Sequence, residues 1–169
     1  MRARRALVLP VFAAVLAAAP ANAAGPIANG TLSVKDGKGM VQLSSRGTLI
    51  GRVQRGRIVV TDPNPFDARS PLVLGADTTR KSRNRKTTTY TGRNLRLRST
   101  RGYFHFRFEG NGIQLSAVGR GRGLIEGQPD DPTTGPVNDG LWSLNDEEYR
   151  SLPPDVTGFD LVGPPTQGE

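Results

Sequence analysis

From Gly30 onward, apolar and polar residues alternate in short runs that glycine interrupts every few positions. Residues 31–34, 40–43, 48–53 and 57–61 each read as half-buried strands. Asp36-Gly37-Lys38-Gly39 and Arg46-Gly47 are the turn signals between them. Further along, 71–74 and 87–91 have strand character, and Leu95, Leu97, Phe104, Phe106 and Phe108 keep a period of two. No comparable stretch carries the 3.6-residue period of an amphipathic helix.

The alternation also recurs. Leu32-x-Val34, Gly39-x-Val41-x-Leu43 and Gly47 return, sixty-three positions later, as Leu95-x-Leu97, Gly102-x-Phe104-x-Phe106 and Gly110. Related units at about 30–62 and 93–127 are expected to be β-meanders, neither able to bury its apolar face alone. The predicted class is all-β: an antiparallel sandwich or flattened barrel built from two related meanders, within a domain spanning 24–127. A β-solenoid is the alternative, and it calls for more coils of equal length. After Gly127 the composition shifts to Pro, Asp and Gly, marking 128–169 as an acidic segment with an irregular connector over 128–140. Asn145, with Glu148 three residues on, has the form of a helix cap, and Pro153-Pro154 would stop that short helix. Residues 158–162 are expected to form a last strand.

The first 23 residues change the picture. Arg2, Arg4 and Arg5, then the apolar stretch 6–19, then Ala21-Asn22-Ala23 make a secretory signal with cleavage expected after Ala23. Fourteen apolar residues containing Pro10 fall short of the roughly 20 needed to span a bilayer. Export to a secreted or extracytoplasmic location is predicted, with no transmembrane anchor.

Charge is divided along the chain. Residues 24–125 hold 19 basic and 5 acidic side chains, whereas 126–169 hold 1 and 10. Between Asp77 and Glu109 no acidic residue occurs. If the Leu95–Phe108 alternation points inward, Arg96, Arg98, Tyr103, His105 and Arg107 point outward, with Arg101 in the turn. Arginine and aromatic side chains on a sheet face pair phosphates and stack rings. The polar loop carrying Arg80, Lys81, Arg83, Arg85 and Lys86 adds to this charge. The other reading is a solvated charged surface, with an acidic tail that keeps the chain soluble or docks on the basic face.

Several chemistries are set aside. There is no cysteine, so no disulfide or thiolate site. The lone histidine, His105, has no G-x-S-x-G elbow to work with, and reads as a surface histidine. Gly119-Arg120-Gly121-Arg122-Gly123 lacks the Lys-Ser/Thr of a phosphate loop and reads as a glycine-rich turn. Asp130, Asp131 and Asp139 match no calcium-loop spacing. Glu147-Glu148, adjacent on the expected helix, suit its dipole better than paired acid–base work.

The Gly-punctuated repeats behind a signal peptide resemble secreted β-repeat proteins of GC-rich bacteria, over about Gly30 to Gly127. That resemblance implies no activity and brings no site residues. Bactofilin-type β-solenoids share the apolar-glycine rhythm. The expectation is therefore an exported, non-enzymatic protein without cofactor or metal. It would bind an anionic cell-wall polymer, acidic glycan or extracellular nucleic acid on its basic face. A structural module of the cell envelope is the alternative, and a secreted hydrolase ranks below both.

Overall fold

The computed structural model describes residues 28–67, 70–128 and 138–163. The signal segment, Asp130 and Asp131 lie outside these residues. The described residues form seven strands: β1 (Gly30–Thr61), β2 (Leu72–Lys81), β3 (Thr87–Ser99), β4 (Tyr103–Gly127), β5 (Leu141–Leu144), β6 (Arg150–Ser151) and β7 (Thr157–Leu161). All pairings are antiparallel, in the order β2-β3-β1-β4-β7, with β5 on β1 and β6 on β5. The sheet stays open, so the flattened barrel does not form: β2 and β7 end the main path and do not meet.

The segments expected as separate strands of a first meander are one continuous strand. They pair with β3, β4 and β5, and the expected turns at 36–39 and 46–47 are bends that never reverse the chain. Glycine explains this. Gly110 lies opposite both Gly56 and Gly39, and Gly39 also lies opposite Gly127. A Cβ on Gly110 would sit 2.1 Å from the Arg55 carbonyl oxygen, and one on Gly39 2.2 Å from that of Glu126. Both adopt positive φ (132° and 129°). Backbones this close need residues without Cβ.

The bends wind β1 and β4 around each other. Gly119 pairs with Gly30 on one flank and with Gly47, seventeen residues further on, on the other. Gly110 stands in the same relation to Gly39 and Gly56. The sheet thus curls onto its own inner face, where Leu32, Val41, Leu43, Val53, Ile58, Leu95, Phe106 and Phe108 belong to one buried cluster. Phe108 reaches the backbone of Gly51, which is not its ladder partner: a Cβ there would be 2.6 Å from the ring.

No helix is found among the described residues, which corrects the expected C-terminal helix. Asn145 and Asp146 take left-handed φ (53° and 59°) in the turn from β5 to β6, and Glu147 N–H donates to the Leu144 carbonyl at 3.0 Å. Asn145 caps nothing. Its Oδ1 accepts from Thr31 N–H (3.1 Å) and its Nδ2 donates to the Val162 carbonyl (2.8 Å), clasping β5, β1 and the end of β7 together. Tertiary partners satisfy the polar groups that a cap would have used. Trp142, Leu152, Phe159 and Leu161 enter the common core, so the C-terminal segment completes the domain. No helix of the described residues is long and apolar enough to cross a membrane.

Candidate anion-binding face

The inward and outward sets of the Leu95–Phe108 hairpin fall as the alternation requires. Leu95, Leu97, Phe104, Phe106 and Phe108 are buried, while Arg96, Arg98, Arg101, Tyr103 and Arg107 are exposed and His105 is half-buried. They do not form one site. Arg98 and Arg96 flank Ile50 and Arg52 of β1, whereas Tyr103, His105 and Arg107 flank Arg46, Ser44 and Gln42. The bend of β1 at Gly47 lies between the two groups, and Arg101 sits in the link between β3 and β4.

Around Tyr103 the structure adds Arg46 and Ser44, together with two arginines of the expected glycine-rich turn. Arg46 lies between Tyr103 and Arg120, and Ser44 between His105 and Arg122. The Gly119–Gly123 stretch is part of β4 and not a turn, so Arg120 and Arg122 both project outward and are exposed. Its glycines have packing reasons. A Cβ on Gly121 would meet the Ser44 carbonyl oxygen at 2.1 Å, and one on Gly123 would meet the Phe159 ring at 2.4 Å. Alternation of Arg with a residue too small to pack was the available signal.

Like charges stand opposite each other at Arg46 and Arg120, Arg52 and Arg96, and Arg55 and Arg93. Such rungs are normally unfavourable by a few tenths of a kcal/mol or more. The ion pairs found among the described residues both run to Glu109, which accepts from Nε of Arg57 on one oxygen and Nε of Arg107 on the other. Partial burial of Glu109 disfavours its charge, but the Arg57 hydrogen bond and the attraction of Arg107 and Arg57 outweigh that and hold its carboxyl below the usual range. The same hydrogen bond raises Arg57. Arg107 is therefore partly spent on Glu109.

Of the loop cations, Arg80 and Lys81 end β2, and Arg83, Arg85 and Lys86 occupy its turn into β3. Ser82 and Asn84 build that turn: Ser82 Oγ donates to Asn84 Oδ1 (2.6 Å) and accepts from Thr87 N–H (3.0 Å). Arg80 shares a cross-strand row with Arg107, through Thr89 and Val59.

His105 has a partner the sequence reading did not foresee. Ser44 Oγ lies 2.6 Å from His105 Nδ1, and the Tyr103 ring meets the imidazole edge-on with centroids 5.1 Å apart. A Ser–His pair needs a third group to orient the imidazole for nucleophilic work; beside this one stand the Tyr103 ring and, across from Ser44, Arg122. Asp139 is buried, accepting from Gln128 N–H at 2.8 Å. Among the described residues no group of three His, Cys, Asp or Glu side chains converges as a metal site would require. Glu147 and Glu148 are exposed in the β5–β6 turn. In comparisons with known proteins, no family model, no curated protein and no solved structure matches the chain.

Proposed function

We propose that this chain is an exported, non-enzymatic protein that holds an anionic polymer of the cell surface on the outer face around Arg46, Arg120, Arg122, Tyr103 and His105. The observation that carries this reading is the opposition of Arg46 and Arg120, beside Arg122, none of them in an ion pair with the described carboxylates. A phosphate or carboxylate chain lying across these rungs turns repulsion into paired hydrogen bonds and releases its counterions. Tyr103 offers a ring for stacking a sugar or base. Arg107, Arg80 and the 81–86 turn extend the positive field along the same rows.

The alternative, an envelope module whose acidic tail docks on the basic face, draws on one rung, Asp160 opposite Arg122. Elsewhere the C-terminal segment is joined to the body by main-chain ladders, apolar contacts, the Asn145 clasp and the hydrogen bond from Tyr149 to Ser33. A duplicated origin for the domain belongs to the same proposal: Leu43 lies opposite Phe106, its counterpart in the sixty-three-residue repeat, so the copies cross antiparallel. A sandwich-like closure of the two halves is supported by Phe108 against Gly51.

The test is titration of residues 24–169 with an isolated anionic wall polymer and a fluorescent single-stranded oligonucleotide. Tight binding to the first alone assigns a wall polymer, and binding to both assigns a general polyanion. Failure of both at low salt removes the proposal.

A further inference from the structure

A second surface combines exposed apolar side chains with cations that form no ion pair among the described residues. On the outer face over β2, β3 and the middle of β1, Leu72 flanks Arg98, which flanks Ile50; two residues along, Leu74 flanks Arg96, which flanks Arg52. Ile50, Leu72 and Leu74 are 56%, 56% and 54% exposed, whereas Leu49, Val53, Leu95 and Leu97, alternating with them, are buried. Ile50, Leu72, Leu74, Arg52, Arg96 and Arg98 line a groove of about 670 Å³, within the ~300–1,000 Å³ typical of small-molecule sites. Large apolar side chains grouped in this way mark a binding surface more often than lone ones do.

The charges narrow the ligand. Arg52 stands directly opposite Arg96, and Arg98 is the next outward residue on β3. Arg52 donates to the neutral Asn94 Oδ1 at 2.9 Å, and neither described ion pair involves these three arginines. Among the described residues the carboxylate on the groove wall is Asp36, which accepts from Gln114 Nε2 at 3.2 Å. Clustered guanidinium groups beside exposed aliphatic side chains leave two costs uncompensated, one electrostatic and one hydrophobic. A purely polar anion relieves only the first. A second copy of this chain would set arginines against arginines.

We propose that this groove binds a medium-chain fatty acid such as laurate, its carboxylate held by Arg96, Arg98 and Arg52 and its alkyl chain laid over Leu72, Leu74 and Ile50. The aliphatic stems of the arginines line the groove while their planar heads grip the carboxylate in bidentate fashion. This site goes beyond the polyanion reading and uses different residues.

The experiment is calorimetric titration of residues 24–169 with laurate below its micelle concentration, beside acetate, dodecyl maltoside and dodecyltrimethylammonium. Saturable one-to-one binding of laurate is expected, with the neutral amphiphile at least about tenfold weaker and acetate and the cation weaker still. Arg96→Ser/Arg98→Ser and Leu72→Ser/Leu74→Ser should each weaken laurate about tenfold or more while retaining the β-sheet circular-dichroism spectrum. Both should keep polyanion binding at the Arg46–Arg120 face, so failure of either proposal is visible alone. Acetate binding as tightly as laurate, equal binding of the neutral amphiphile, a dimer that dissociates in Leu72→Ser/Leu74→Ser, or no laurate binding overturns the inference.

Discussion

Arg46 stands directly opposite Arg120 in the β1–β4 ladder. Two exposed guanidinium groups on one rung repel, by roughly 0.2–1 kcal/mol in comparable pairs. Arg120→Gln should therefore raise resistance to urea by about 0.5 kcal/mol at low salt, with the gain shrinking as salt screens the pair. The same substitution should weaken polyanion binding. Urea unfolding at two salt concentrations, run beside a binding titration, checks both signs.

The bends make a sharper structural prediction. Gly110→Ala places a Cβ 2.1 Å from the Arg55 carbonyl oxygen at a φ of 132°. A loss of about 2 kcal/mol or more is expected, with insoluble expression as the extreme outcome. Gly158, whose nearest foreign atom would be 3.9 Å from an added Cβ, should accept alanine with little effect. Thermal unfolding of the two variants tests the contrast.

Much of this fold was legible in the alternation of residues, because inward positions are apolar nearly everywhere from Leu32 to Ala117. The path of the chain was not. A glycine that reverses a chain and a glycine that lets two backbones touch look alike in sequence, and Gly39, Gly47 and Gly56 are of the second kind. Asn145 was misleading for a related reason: its side chain joins Thr31 and Val162, partners more than a dozen residues away. Within the candidate site, Tyr103, His105 and Arg107 were visible on one strand, but Arg46, Arg120 and Arg122 join them only through ladder pairing. Separation of Arg96 and Arg98 from that group follows from the bend at Gly47, which alternation alone does not reveal.

Acid should act through Glu109. Its carboxyl titrates below the unfolded value of about 4.3 because Arg57 and Arg107 favour the charged form. Its stabilising contribution is therefore complete above the unfolded value and is lost as pH falls through the lower, folded one. Glu109→Gln should lower stability at neutral pH and flatten the fall in acid, leaving the two proteins closer near pH 3. Denaturant midpoints across that range decide it.

Ending the chain at Gly127 should break the domain and not unmask a surface. The cut removes β5 and β7 together with Trp142, Leu152, Phe159 and Leu161. Loss of even one large core side chain costs about 2–5 kcal/mol, comparable to the whole margin of a small domain. Loss of cooperative unfolding in circular dichroism is the expected result, whereas Asn145→Ala, which only opens the clasp, should cost roughly 1–2 kcal/mol.

Use of the Arg46–Arg120 face is decided by the salt dependence of polyanion binding by residues 24–169 beside Arg46→Gln/Arg120→Gln/Arg122→Gln. Each phosphate contact contributes about 0.9 to the slope of log affinity against log salt for duplex DNA and about 0.7 for single strands. Measurable binding at low salt is expected, with a triple variant whose slope is shallower by about 2–3. Equal slopes and affinities in the two proteins would contradict use of that face.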